Sequence, residues 1–335
     1  MTYKNNVILG SLFALSVFAM PASSAVSSSE AARLGQDLTP FGSVKAGNEA
    51  GTIPAWTGGL TEAPTGYEGS GQHHINPFPD DEVLFTISAS NMDQYDEYLT
   101  DGLRAMLDTY PTTFRIPVYK SRRTHAVPDW VAENTRENAV DAEVVGKGEG
   151  IDGAFAGYPF PILHGNNEQK AWQVIWNHLT RWRGVSVTRR SSEVAVQPDG
   201  DYSLVTSQQE AFFNYYNPEG SEEELDNVIF YYLSFTQSPP RLAGGAILIH
   251  ETLNQIINPR NGWGYNAGQR RVRRAPNLGY DSPIAAADNL RTADDTDIFN
   301  GALDRYNWEY EGMREIYVPY NNYRIGEQGT PYSEI

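Results

Sequence analysis

The chain has 335 residues and a formal net charge of −17, with 40% hydrophobic residues, 12% aromatic residues and no cysteine. That charge opposes binding to nucleic acid and to anionic lipid surfaces. The missing cysteine excludes disulfide staples, a lipid-modified cysteine anchor and a thiol nucleophile, so the fold rests on its apolar core.

Lys4 precedes an apolar run from Val7 to Ala19, and Pro21, Ala22, Ser23, Ser24 and Ala25 follow it. A positive start, a short apolar middle and small residues at the end describe a secretory signal peptide cut after Ala25. The run is about 13 residues, too short to cross a bilayer, and no later stretch reaches spanning length. Residues 26–85 form a Gly/Pro-rich arm punctuated by Gly47, Gly51, Pro54, Gly58, Gly59, Pro64 and Gly66. This composition predicts an extended segment lying over the domain surface, with Ile53 and Trp56 available to pin it.

A first helix is predicted from Ser90 or Asn91, with Met92, Tyr95, Leu99, Leu103, Met106 and Tyr110 at helical spacing and Pro111 ending it. A second starts after Pro128 and Asp129, with Glu133, Arg136 and Glu137 outward and Trp130, Ala139, Ala142 and Val145 inward. A third runs from Asn167 to Arg183 and is closed by Gly184; Ala171, Trp172, Ile175, Leu179 and Trp182 form its apolar stripe.

From Val185 the period drops to two. Val185 and Val187, then Val194 and Val196, read as bracketing a turn, and Pro198-Asp199-Gly200-Asp201 reads as another. Strands are predicted at 202–206, 228–236, 246–253 and 269–275, with no helices between them. Helices first and a strand meander after give an α+β fold with an antiparallel sheet. In the strand at 228–236, Ile229, Tyr231, Leu233 and Phe235 fill one face and Val228, Phe230 and Tyr232 the other. Such a strand needs apolar cover on both sides. Helices supply one; a second sheet or an apolar cavity must supply the other.

Few motifs carry chemistry. Gly148-Glu149-Gly150-Ile151-Asp152-Gly153 spells a dinucleotide fingerprint, but Tyr158-Pro159-Phe160-Pro161 follows where a helix must open. His250-Glu251 begins like a zinc-protease motif, yet Asn254 stands where the second histidine belongs. Asp288, Asp294, Asp295 and Asp297 miss the calcium-loop spacing. No catalytic residue, metal site or cofactor is assigned.

The remaining unusual element is Arg270-Arg271-Val272-Arg273-Arg274. As a strand it places Arg271 and Arg273 on one face. Glu251 shares a face with Ile247, Ile249 and Leu253, so it needs a buried partner, and these arginines are the obvious supply. The row is either an edge-protecting stripe paired with surface acids or a set of guanidinium groups at a cavity mouth holding an anionic or polar headgroup.

Leu38-Thr39-Pro40-Phe41-Gly42, Lys45-Ala46-Gly47-Asn48 and Gly51 to Leu60 resemble the N-terminal signature of the DUF1329 family of exported Gram-negative proteins. Tyr110 to Arg115, Pro159-Phe160-Pro161, Trp176-Asn177-His178-Leu179, Gly268 to Pro276 and Asp294 to Gly301 continue the match. That family is similar in turn to the LolA/LolB/LppX-like fold of outer-membrane lipoprotein-sorting proteins. The resemblance implies a curved, unclosed antiparallel half-barrel with helices in its concave face, here spanning 86–335. It implies a periplasmic carrier for a lipid or other hydrophobic ligand, serving an RND-type exporter or an outer-membrane partner. It also implies further strand-rich sequence beyond Ile335, so the domain is expected to be incomplete at that end. Trp172, Ile175, Leu179, Phe230, Tyr232, Glu251, Arg271 and Arg273 are the candidate cavity residues. The alternatives are a ligand-free adaptor docking on an envelope transport complex through an exposed arm, and an enzyme on a lipid-like substrate using His178 or His250.

Overall fold

The computed structural model describes residues 26–69, 71–275, 280–327 and 329–331. The signal-peptide reading of residues 1–25 lies outside them, as does Pro276 at the end of the arginine row.

The arm begins with α1 (Ser28–Ala31), which Ser27 and Glu30 close with a capping box. Ala31, Leu34 and Leu38 then bury themselves against Ala139, with Val140 and Ile162 alongside. Further on the chain is irregular but tied down. Trp56 Nε1 donates to the His125 carbonyl at 2.9 Å, and Arg123 donates to the carbonyls of Val44, Lys45, Ala46 and Pro54. Gly42 has φ +95°, and a Cβ there would lie 2.1 Å from the Pro161 carbonyl oxygen.

Strands β1 (Phe85–Ile87) and β2 (Ile116–Val118) pair antiparallel around a 3-10 segment, Met92–Tyr98, and α2 (Asp101–Thr109). The single helix expected here is therefore broken. Leu99 and Thr100 are extended, and Thr100 Oγ1 caps α2 by accepting from the Leu103 N–H. The threonine hydroxyl offers the backbone a cap in place of helix continuation, while Leu99 is buried with Ile87 and Leu107.

Helix α3 (Asp129–Asp141) precedes the small hairpin β3 (Glu143–Val145) and β4 (Gly150–Asp152), and α4 (Asn167–Leu179) follows. On α3 the buried residues are Val131, Thr135, Asn138 and Ala139. Two of these are polar because they bond the next segment: Asn138 exchanges hydrogen bonds with the Phe155 backbone at 3.1 Å, and Thr135 Oγ1 accepts from the Tyr158 N–H at 3.0 Å. Helix α4 stops at Leu179 rather than Arg183. Its buried residues are Ala171, Gln173 and Trp176, so the true stripe centres on Trp176, with Trp172, Ile175 and Leu179 flanking it half-buried.

The sheet is a meander of β5 (Ser186–Val194), β6 (Leu204–Phe212), β7 (Val228–Ser238), β8 (Ala246–Thr252), β9 (Asn261–Asn266) and β10 (Arg271–Ala275). All pairs are antiparallel and neighbours in sequence are neighbours in space, giving an unclosed six-stranded sheet with β5 and β10 at its edges. The α+β expectation with an open antiparallel sheet holds. Two details differ. The turn expected between Val187 and Val194 is the middle of β5, whose polar run Thr188 to Glu193 lies on an edge strand with both faces wet. Strand β9 was not expected, because Asn261, Gly262 and Gly264 read as turn residues; packing between β8 and β10 overrides that propensity.

One sheet face carries Ala211, Phe230, Tyr232, Ile249 and Glu251. At its β6–β8 end it meets the main core, built from Val131, Trp176, Phe213, Tyr215, Tyr216, Ile229 and Leu253. The segment Tyr280 to Trp308 also packs there: Leu303 is in that core, Phe299 and Trp308 lie against it, and Arg291 pairs with Glu193 of β5.

Candidate functional site

Trp172, Ile175, Leu179 and Phe230 do come together, but as parts of a filled core. The crevice where Trp176, Leu179 and Phe230 meet Glu251 encloses only ≈ 10 Å³, room for at most one water. The Trp176 indole occupies the centre and donates to the Gly148 carbonyl at 3.1 Å. Tyr232 lies two residues further out on β7, half-buried.

Glu251 has a partner, though not from the arginine row. It is buried and bonded to Arg260, whose Nε donates to Glu251 Oε2 at 2.7 Å. The turn after β8 folds Arg260 back under its own strand, a far shorter path than from β10, two strands away. Arg260 also lies over the Tyr280 ring at 4.2 Å and donates to the Asn300 carbonyl at 3.0 Å. Burial alone would lower the Arg260 pKa; the Glu251 carboxylate outweighs it and the net shift is upward. This pair therefore fastens the 280–301 segment to the sheet.

Arg271 and Arg273 are exposed on edge strand β10. Arg273 donates to Gln269 and Arg274 to Asn261, both neutral. The row does lie on a sheet edge, but among the described residues the surface acids expected to pair with it do not.

His178 Nε2 lies 3.0 Å from the Asp297 carbonyl and 3.2 Å from that of Phe299, so Nε2 carries the proton. Arg181 and Arg183 both pair with the Asp297 carboxylate. Burial, reinforced by Arg181, holds the His178 pKa below its ordinary value. His250 instead sits between the rings of Tyr231 and Trp263, each 4.7 Å away. The fingerprint-like glycines form the β3–β4 hairpin. A polar cleft of ≈ 430 Å³ lies between α3 and the 217–222 loop, walled by Trp130 and Phe155 and rimmed by Glu137, Asp141 and Glu222.

The opposite face of the sheet is what the residue-by-residue reading missed. Strand registers align its side chains in rows. One row runs Arg190, Gln208, Phe235, Ala246, Tyr265, Val272. The next runs Thr188, Glu210, Leu233, Leu248, Trp263, Arg274, and a third Ser186, Phe212, Tyr231, His250, Asn261. No residue of these rows is buried, and Phe235 and Val272 stand 43% and 65% exposed. Phe212 stacks on Tyr231 at 6.4 Å, extending the ring series to His250 and Trp263. The sequence signal was already present: β7 is apolar on both sides, and among the described residues beyond Ile229 only the side of Phe230 packs against the main core.

These features define an α+β protein with an open six-stranded antiparallel sheet, a helix-bearing core against one face and, among the described residues, an aromatic second face whose three aligned rows hold no buried side chain. Residues 86–335 match the model of the family described as a protein of unknown function (DUF1329), and the chain belongs to that family. It is 46% identical over 324 residues to the uncharacterized protein PA3922 of Pseudomonas aeruginosa, covering 97% of this chain and 70% of that protein. Among solved structures it overlaps a Vibrio parahaemolyticus domain described as an outer membrane lipoprotein-sorting protein domain, with 15% identity, a TM-score of 0.30, and 42% and 52% of the two chains covered. A DUF1329 family protein from Desulfovibrio piger gives 14% identity, a TM-score of 0.29, and 39% and 48% coverage. Among the described residues no helix is long and apolar enough to cross a membrane.

Proposed function

We propose that the protein works in the periplasm, after loss of residues 1–25, as a carrier for a lipid or other hydrophobic ligand held on the open face of its sheet. The observation that carries this reading is the sheet face on which Phe212, Phe235, Tyr265 and Val272 are exposed and Tyr231, Leu233, Leu248 and Trp263 lie half-buried between them. An apolar patch on the order of 400 Å² is within the size range of the largest patch on a typical monomer, a patch that is often functional. At about 25 cal/mol per Å², covering it returns on the order of 10 kcal/mol before the cost of association. In the half-barrel reading, α3 and α4 fill the concave side. The filled crevice at Trp176 then leaves the outer face, not an enclosed cavity, as the place for cargo.

A second reading has the same face covered by protein, making the chain an adaptor for an RND-type exporter or an outer-membrane partner. The openness of the face favours it; the arm does not, because Trp56 is tied to His125 and packs edge-on to Phe41 at 5.7 Å. Mass spectrometry of lipid extracted from protein expressed in its native periplasm separates the two. Bound lipid that disappears in Leu233→Asp supports the carrier. Protein that is empty and without affinity for acyl probes, yet captures an envelope protein through this face, overturns it.

A further inference from the structure

We infer that the ligand carries an anionic headgroup, carboxylate or phosphate, and that the arginines of the β10 edge hold it. The inference rests on the carrier reading and names its ligand class. Arg270, Arg271, Arg273 and Arg274 are all exposed. Among the described residues no ion pair joins a carboxylate to any of them; other exposed arginines such as Arg189 and Arg190 share that condition, but only here do four such groups fall within residues 270–274. The chain has no shortage of acids, with 42 Asp and Glu against 25 Lys and Arg. Four guanidinium groups within five residues and without counter-charge repel one another.

Their placement gives the row a use. Arg274 stands opposite Trp263 in register and Val272 opposite Tyr265, so positive charge borders the aromatic rows directly. Arg271 and Arg273 start on the other face, but among the described residues no strand pairs with β10 on its outer side, which leaves their long side chains room to turn around that edge. An acyl chain lying along Trp263, Leu248 and Leu233 thus ends beside several forked donors suited to bidentate carboxylate or phosphate contacts. The net charge of −17 opposes a whole anionic bilayer. Beyond about 8 Å at physiological salt that field is screened, so a single anionic headgroup at the edge feels mainly the arginines.

Titrate the full mature chain, below micelle concentrations, with laurate, dodecyl phosphate and dodecanol, following tryptophan fluorescence and heat. At least one of the two anions is expected to bind tenfold or more tighter than dodecanol, and the stronger arm tells carboxylate from phosphate. The preference is expected to vanish in R270Q/R271Q/R273Q/R274Q and to shrink in 0.5 M salt (a concentration on the order of where the Debye length falls to a few ångströms). If the fourfold variant fails to fold by circular dichroism, R271Q/R274Q takes its place, with a smaller loss expected. Equal affinity for all three ligands overturns the anionic class and leaves the carrier standing. A preference that survives arginine removal overturns the β10 site. Binding of none of the three overturns the carrier reading and this inference with it.

Discussion

Replacing Glu251 by alanine isolates the energetics of one buried charge. In the native chain Glu251 and Arg260 are exposed at the side chain by only 7% and 4%. Removing the carboxylate leaves a guanidinium in the core with the Asn300 carbonyl, the Tyr280 ring and the more distant field of Asp294. Two unit charges about 4 Å apart at an effective dielectric constant near 20 attract by about 4 kcal/mol. Breaking a buried pair from one side costs about 3–5 kcal/mol, because the remaining charge stays desolvated. Against a total stability of about 5–15 kcal/mol this is a large fraction. Urea unfolding followed by tryptophan fluorescence is expected to show that loss for Glu251→Ala, together with faster proteolysis in the 280–301 segment. Replacing both partners, as Glu251→Leu with Arg260→Met, is expected to recover most of it, since no charge is then left behind. A loss below about 1 kcal/mol in the single variant would refute the argument, because a penalty that small belongs to exposed pairs. So would a double variant as unstable as the sum of the singles.

Trp176→Ala is expected to cost about 3–5 kcal/mol by the same unfolding assay, since it empties the most crowded point of the core and orphans the Gly148 carbonyl. Gly42→Ala forces a Cβ onto the Pro161 carbonyl at a positive φ; the expected result is an arm cut by protease near residue 42 while the sheet stays intact. Burial lowers the pKa of His178, His125 and His250 from the ordinary 6.5. The unfolded chain therefore takes up protons that the folded chain resists. Stability is full above pH 6.5 and declines as the pH falls below it toward the folded values. His178→Gln is expected to make that decline shallower without abolishing it, measured as urea midpoints between about pH 7.5 and pH 5.

Local pattern was enough wherever one strong signal acted alone. The helical spacing before Gly184, the turn at Pro198 to Asp201 and the alternation in β7 and β8 each placed an element correctly. It failed where neighbours in space overrode neighbours in sequence. Thr100 interrupts a periodic helix because its hydroxyl caps the next turn, and β9 forms from glycine-rich sequence because two flanking strands supply its hydrogen bonds. The candidate residues divided the same way. Trp172, Ile175, Leu179 and Phe230 all lie against one core, but whether the space among them is empty depends on Trp176, whose role no spacing rule ranks above theirs. Glu251 was correctly read as needing a buried cation, and Arg260 was overlooked because it lies in an irregular turn.

Composition and periodicity by themselves determined an α+β chain with an antiparallel sheet, a cysteine-free core and one strand apolar on both sides. Those properties follow from residues close together in the chain. Only the tertiary structure decided which sheet face the helices cover, which arginine meets Glu251, and that among the described residues the second aromatic face borders a basic edge without acidic partners. Each of these depends on register and packing between segments tens of residues apart, and side-chain burial is settled only once those segments meet.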